Sequence, residues 1–171
     1  MCARSALDHL LPELRAYARS LCGRADAAED LVQDAVERSL KSGNVPGDPQ
    51  SLRPWMFRVI RNLHYDELRK RRIRREYVAR EKRLSAETGD AGGQARDALI
   101  KLQYERLPPD KREVLFLVDI MGLKYAEAAE VMGVATGTVM SRLSRARQAL
   151  RLRIDADERP GSASRSGNRH G

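Results

Sequence analysis

Apolar side chains return along this chain at steps of three and four, the spacing of one helix face. Leu7, Leu10, Leu11, Leu14, Ala18 and Leu21 predict a first helix over 7–21, ended by Gly23. Asp26, with Glu29 three residues on, reads as the cap of a second helix in a capping box with Asp in the Ser/Thr role. That helix reaches about Leu40 and turns Leu31, Val32, Ala35, Val36 and Leu40 inward. Gly43, Pro46, Gly47 and Pro49 make 42–50 a loop. A long helix follows from Leu52 to about Arg75, with Pro54 tolerated in its first turn. Trp55, Val59 and Leu63 share a face that Met56 and Ile60 widen, so Trp55 reads as core rather than as a stacking platform.

The pattern lapses between Leu84 and Ala98, where Thr88-Gly89-Asp90-Ala91-Gly92-Gly93 reads as a flexible linker. Helix restarts from Ala98 to Leu107 and breaks at Pro108-Pro109. Asp110 then caps a helix carrying Val114, Leu115, Leu117, Val118 and Ile120. Tyr125 to Met132 forms a short helix, Gly133 punctuates it, and Thr136-Gly137-Thr138 opens a last helix to about Arg153. Val139, Leu143, Ala146 and Leu150 are its buried stripe. A short helix, a Gly-marked turn and a longer basic helix form the helix-turn-helix layout, which sets its second helix in a major groove. Strand patterns are nearly absent. The expected fold is all-α: two small helical domains joined by a flexible linker, the second a helix-turn-helix domain. The boundaries are 5–83 and 99–154 for the domains, 84–98 for the linker and 155–171 for a disordered Gly/Ser/Arg tail.

Charge sharpens the nucleic-acid reading through its placement. The chain of 171 residues carries a net +8. Residues 1–50 hold 6 basic and 8 acidic side chains, and residues 51–83 hold 12 and 4. Residues 84–133 hold 6 and 9, and residues 134–154 hold five Arg and no acid. Two basic blocks therefore alternate with two mildly acidic ones. The basic blocks can displace counterions from a polyanion, and the acidic surfaces are available to protein partners. Between Arg69 and Arg75 six residues of seven are basic.

Other classes find little support. Cys2 and Cys22 are the only cysteines, and His9, His64 and His170 are scattered, so neither a zinc site nor a disulfide framework is expected. Cys22 reads as a small buried side chain. Met1 to Leu11 carries Arg4, Asp8 and His9, unlike a signal peptide, and no apolar run suits membrane insertion, so a cytoplasmic location is expected. Without a Gly-rich phosphate loop or a nucleophile beside a base, no catalytic residues, metal or cofactor are expected.

Several of these stretches carry a family resemblance. Asp26-Ala-Ala-Glu-Asp-Leu-Val-Gln-Asp34, Leu52-Arg-Pro-Trp-Met-Phe-Arg-Val-Ile-Arg-Asn62 and Asp66-Glu-Leu-Arg-Lys-Arg-Arg72 resemble region 2 of a bacterial sigma factor. Leu107-Pro-Pro-Asp-Lys-Arg-Glu-Val and Gly137-Thr-Val-Met-Ser-Arg-Leu-Ser-Arg-Ala-Arg147 resemble region 4. Their order, the linker and the total length are similar to the extracytoplasmic-function class of the sigma-70 family, over about Leu7 to Arg153. The stretch Leu14-Arg-Ala-Tyr-Ala-Arg-Ser-Leu21 also resembles the general-stress subgroup of alphaproteobacteria.

The resemblance implies a chain that binds core RNA polymerase, recognises promoter DNA and opens it, and is not an enzyme. It implies that Asp30, Leu31, Gln33 and Asp34 dock on the polymerase clamp helices. It implies that the helix after Arg53 reads the −10 element through Arg58, Arg61, Asn62 and Tyr65. Asn62 would meet a flipped-out non-template base, and Arg69, Lys70, Arg71 and Arg72 would hold phosphates. Thr138, Ser141, Arg142 and Arg145 are the candidates for −35 contacts, Arg142 and Arg145 gripping either guanine or phosphate. An anti-sigma factor is implied as a further partner. Two positions depart from the pattern: Lys124 stands where a Ser or Thr cap is common, and Met140 where a basic residue is common. A free-standing helix-turn-helix repressor or activator would account for 107–152 equally well, but not for 26–72.

Overall fold

A computed structural model describes residues 3–78 and 95–157, with side chains described for 5–74 and 97–157. Most of the expected linker and the tail beyond Asp157 lie outside the described residues, as does Cys2. Seven α-helices are described and no strand accompanies them: α1 Ala3–Cys22, α2 Ala25–Ser42, α3 Pro49–Val78, α4 Ala95–Glu105, α5 Pro109–Leu115, α6 Tyr125–Met132 and α7 Thr136–Asp157. A π-helical turn, Phe116–Ile120, continues α5. It closes where the Met121 N–H donates to the Phe116 carbonyl at 2.8 Å and the Leu123 N–H to the Leu117 carbonyl at 2.9 Å.

α1, α2 and α3 pack pairwise into a three-helix unit. Its core is Leu7, Leu14, Tyr17 and Ala18 from α1, Ala28, Val32 and Ala35 from α2, and Leu52, Met56, Phe57 and Ile60 from α3. Each set repeats at three and four, so burial follows the periodicity of the chain. Trp55 is only half-buried; the large side chains sealed inside are Tyr17 and Phe57. In the second unit α7 packs on α4, α5 and α6, burying Val139, Leu143 and Ala146 against Val114, Leu117, Ala128 and Val131. Leu150 is half-buried at the end of the stripe.

The two units do not stand apart. α3 lies against α6, and α1 against α5 and the π-helical turn. The Tyr17 ring sits 4.9 Å from Phe57 of its own unit and 5.9 Å from Phe116 of the other, so one aromatic stack bridges them.

Five local expectations are corrected. Arg24 occupies the capping position of α2 in extended conformation and its side chain caps nothing. The carboxylates expected to form a capping box bind arginines instead, Asp26 to Arg24 at 2.6 Å and Glu29 to Arg15 at 2.9 Å. Leu40 is 46% exposed rather than inward. Ser39 takes the inward place, donating to the Ala35 carbonyl at 2.6 Å beside the Met56 sulfur. α3 begins earlier than expected, at Pro49, because the Asp48 carboxylate accepts the Ser51 N–H at 3.0 Å and its hydroxyl at 2.9 Å. Pro108 rather than Asp110 holds the capping position of α5, with Pro109 in the first turn. The last helix also outruns its expected end, continuing to Asp157, where the buried Gln103 amide of α4 donates to the Asp157 carboxylate.

Candidate nucleic-acid interface

The helix-turn-helix forms where the local chemistry asks for it. Gly133 ends α6 at φ +65°, a left-handed conformation in which a side chain would be strained. The Val134 N–H then reaches back to the Ala129 carbonyl at 3.1 Å, the six-to-one bond of a Schellman turn. At the other end of α6, Lys124 has no acceptor with which to cap, but the Glu127 carboxylate takes the Lys124 backbone N–H at 2.7 Å. That gives half of a capping box. The departure at Lys124 therefore leaves the start of the helix intact.

On α7 the candidate −35 residues lie off the buried stripe. Ser141 and Arg145 are exposed, and Thr138 and Arg142 half-exposed. The Ser141 hydroxyl donates to the Thr138 carbonyl at 3.1 Å. Neither Arg142 nor Arg145 pairs with an acid among the described residues, so both guanidinium groups can meet an external anion. Arg147, one step further, is clamped by Asp119 with Nε 3.0 Å from Oδ2, tying α7 to the π-helical turn. Met140, at the position where the resembled family commonly has a basic residue, is 53% exposed and offers an outside phosphate no charge.

α3 divides its candidates between two flanks. Arg58, Asn62, Asp66 and Arg69 fall at steps of four, four and three, and all four are exposed. Beyond Leu68 the helix leaves the core, and Arg69, Lys70, Arg71 and Arg72 are all exposed. Arg69 pairs with Asp66 at 3.3 Å and Arg71 with Glu67 at 3.0 Å. Such exposed pairs are worth little and yield readily to a polyanion.

The other flank is a ladder at strict steps of four: Arg53, Phe57, Arg61 and Tyr65. Each rung touches its neighbour or the second unit. The Arg53 guanidinium lies 5.7 Å from the Phe57 ring centre and donates to the Glu13 carboxylate and the Met121 carbonyl. The Arg61 guanidinium lies 4.5 Å over the Tyr65 ring. Its Nε donates to Glu113 Oε1 at 2.8 Å. The Tyr65 hydroxyl donates to the other oxygen of Glu113 at 3.4 Å, and the Tyr17 hydroxyl to Oε1 at 2.8 Å. Thus two of the eight candidate −10 residues, Arg61 and Tyr65, face the second unit instead of solvent.

The electrostatics follow from this burial. The Tyr17 phenol is held well above its ordinary value, first by burial and then by the Glu113 charge. Tyr65 is raised for the same two reasons. Burial alone would lower Arg61, but attraction to Glu113 outweighs it and raises the guanidinium. Glu113 itself is the residue that sequence reasoning missed: it stands in the quoted stretch Leu107-Pro-Pro-Asp-Lys-Arg-Glu-Val but was given no role. A signal was there: it lies three and four residues before Phe116 and Leu117, on the inward face of α5.

On α2, Asp30, Gln33 and Asp34 are exposed and Leu31 is half-buried. Asp30, Leu31 and Asp34 line one wall of an open cleft of about 700 Å³, with Lys70, Arg71 and Arg112 opposite. The cleft floor brings together Cys22 and His64, sulfur to Nδ1 at 3.7 Å. Burial raises the thiol and lowers the imidazole from their usual values. No cluster of three or more metal-ligating side chains occurs among the described residues. No described helix is long and apolar enough to cross a membrane.

Residues 6–74 match the sigma-70 region 2 family, and residues 98–150 match sigma-70, region 4. The chain is 36% identical over 149 residues to the ECF RNA polymerase sigma factor EcfG of Rhodopseudomonas palustris, covering 86% of this chain and 82% of that one. The chain belongs to the ECF sigma factors of the sigma-70 family. This sigma factor is also 34% identical over 155 residues to SigL of Mycobacterium tuberculosis, covering 88% of each chain. Among solved structures it is similar to the sigma factor RpoE of Bartonella quintana, crystallised with the anti-sigma factor NepR. That match has a TM-score of 0.76 and 33% identity, over 90% of this chain and 97% of that one. CnrH in complex with the cytosolic domain of CnrY is similar with a TM-score of 0.61 and 27% identity, over 91% of this chain and 96% of that one.

Proposed function

We propose that this sigma factor docks on core RNA polymerase through the acidic face of α2, with Asp30, Gln33 and Asp34 outward and Leu31 at the cleft edge. It reads the −35 element with Thr138, Ser141, Arg142 and Arg145 of α7. It takes the −10 element on α3, where Asn62 captures an unstacked non-template base and Arg69, Lys70, Arg71 and Arg72 hold the adjoining phosphates. Arg58 lies on the Asn62 flank and reaches the same strand. Arg61 and Tyr65 join it once released from Glu113. The work is binding and DNA opening in the cytoplasm, not catalysis.

One observation carries this reading: two basic helices in separate units, one exposing an amide beside a cationic run, the other exposing arginines that meet no acid among the described residues, at a helix-turn-helix. A duplex reader alone would have no use for the first. Since the similar RpoE was crystallised with the anti-sigma factor NepR, a similar partner is proposed for this chain. A stress-responsive role is part of the proposal, resting on the resemblance of Leu14-Arg-Ala-Tyr-Ala-Arg-Ser-Leu21 to the general-stress subgroup.

Run-off transcription with purified core polymerase, mapped at its start sites, tests the proposal. Activity that requires both core polymerase and this chain is expected. Tight binding of duplex operator by the chain alone, without stimulated initiation, would point instead to a free-standing helix-turn-helix repressor.

A further inference from the structure

Glu113 is the most completely enclosed acid described in this molecule, its side chain 1% exposed. A buried carboxylate is costly unless its lone pairs are filled. Among the described residues every side-chain donor that fills them comes from the other unit: Tyr17 of α1, and Arg61 and Tyr65 of α3. Among the described residues the other ion pairs that join helices, Arg15–Glu29, Arg53–Glu13 and Arg147–Asp119, each stay within one unit and are more exposed than Glu113. Glu113 is thus where the two units are joined by charge. It accepts from the same two α3 side chains that DNA would otherwise receive.

We propose that Glu113 is an internal anion that latches the two units closed and withholds Arg61 and Tyr65 from DNA. The proposal rests on α3 being the −10 helix, as argued above. In the closed chain Glu113 occupies the place a backbone phosphate would take at Arg61. The exchange is physically reasonable because a guanidinium binds carboxylate and phosphate with the same fork of donors. Opening rehydrates Glu113 and frees the Arg53–Phe57–Arg61–Tyr65 flank together, since the four rungs lie on one helix. Arg53, held by Glu13 of its own unit and donating to the Met121 carbonyl of the other, is the second point of closure. The latch therefore makes release of the −10 helix and separation of the units one event.

The test uses the full chain. Spin labels on Arg38→Cys and Glu130→Cys, both exposed and one in each unit, report the distance between units in a Cys2→Ser, Cys22→Ser background. The starting chain should give one narrow, short distance. Glu113→Gln, which keeps the shape and removes the charge, should move most of the population to a broad, longer distribution. Tyr17→Phe keeps the ring between Phe57 and Phe116 and loses one donor, so it should open the chain partly. It also carries the measurement should Glu113→Gln impair folding.

The second arm measures affinity for a fluorescent single-stranded 20-nucleotide DNA at fixed salt. Glu113→Gln should gain about tenfold, as roughly 1.4 kcal/mol of freed interaction would give. Asp110→Asn, an equal change of charge at an exposed site on the same helix, should gain less than about twofold. Unchanged distances in both Glu113→Gln and Tyr17→Phe would overturn the latch. Opening with no more affinity than Asp110→Asn would overturn the withholding of Arg61. A chain that supports no run-off transcription would sink the sigma-factor reading, and the distance measurement, made without DNA, would still decide the latch.

Discussion

α3 and α7 are both long, basic and built on an apolar stripe, yet they are committed differently. α7 buries one face, Val139, Leu143 and Ala146, and leaves Arg142 and Arg145 unpaired among the described residues. α3 buries two flanks, one in its own unit through Leu52, Met56 and Ile60, the other along Arg53, Phe57, Arg61 and Tyr65 toward the second unit. A helix with one buried face can present the rest of its circumference to a groove at once. A helix buried on two can present only what remains, here Arg58, Asn62 and the cationic run. On the proposed assignments, duplex reading on α7 is preassembled and strand capture on α3 is held back. That order suits a protein that must find a duplex before it opens one.

The largest expected effect breaks the comparison at the apolar level. Phe57→Ala removes a fully buried ring packed on Tyr17 and should cost about 3–5 kcal/mol, read by urea denaturation. Met140→Ala, on the open side of α7, should stay within about 0.5 kcal/mol. Equal losses from the two would mean that α7 is as enclosed as α3.

Arg145→Ala should leave folding unchanged and weaken promoter binding by holoenzyme. If Arg145 reads a guanine, about 1–3 kcal/mol is lost at one base pair. If it grips phosphate, the loss is uniform across promoter variants and the salt slope falls by about one. Unaltered binding to every promoter would remove Arg145 from the interface.

Asn62→Ala sharpens the contrast from the α3 side. Duplex binding should hold while promoter opening, followed by permanganate footprinting, weakens by about the 0.5–1.5 kcal/mol of one hydrogen bond. Making the captured non-template base abasic should hurt the wild type and add little to the mutant. If both suffer equally from the abasic change, Asn62 is a bystander on the helix surface.

The smallest effect is expected at the exposed pair on α7. Asp119→Asn removes the partner of Arg147, and because both side chains are well exposed it should cost about 0–1 kcal/mol in thermal or urea melts. A loss above about 2 kcal/mol would show that this clamp, rather than the apolar stripe, seats the recognition helix.

What the sequence by itself determined was local and periodic. The short helix Tyr125–Met132, the turn at Gly133 and the stripe Val139, Leu143 and Ala146 were legible because a 3.6-residue repeat and a left-handed glycine act within a few residues. Most helix ends were legible only to within a few residues, because capping depends on which partner wins a side chain. Asp26 and Glu29 look like a capping box, but arginines take both. The exposure of Asn62 and of the basic run was also readable, since charge on a helix flank needs no distant partner. Only the tertiary structure decided the role of Glu113, and with it the fate of Arg61 and Tyr65. The partners of that carboxylate lie 96, 52 and 48 residues away in the chain. No local pattern records such a meeting: whether an acid on an inward face is an error or a latch depends on which donors the packing of two separate units brings to it.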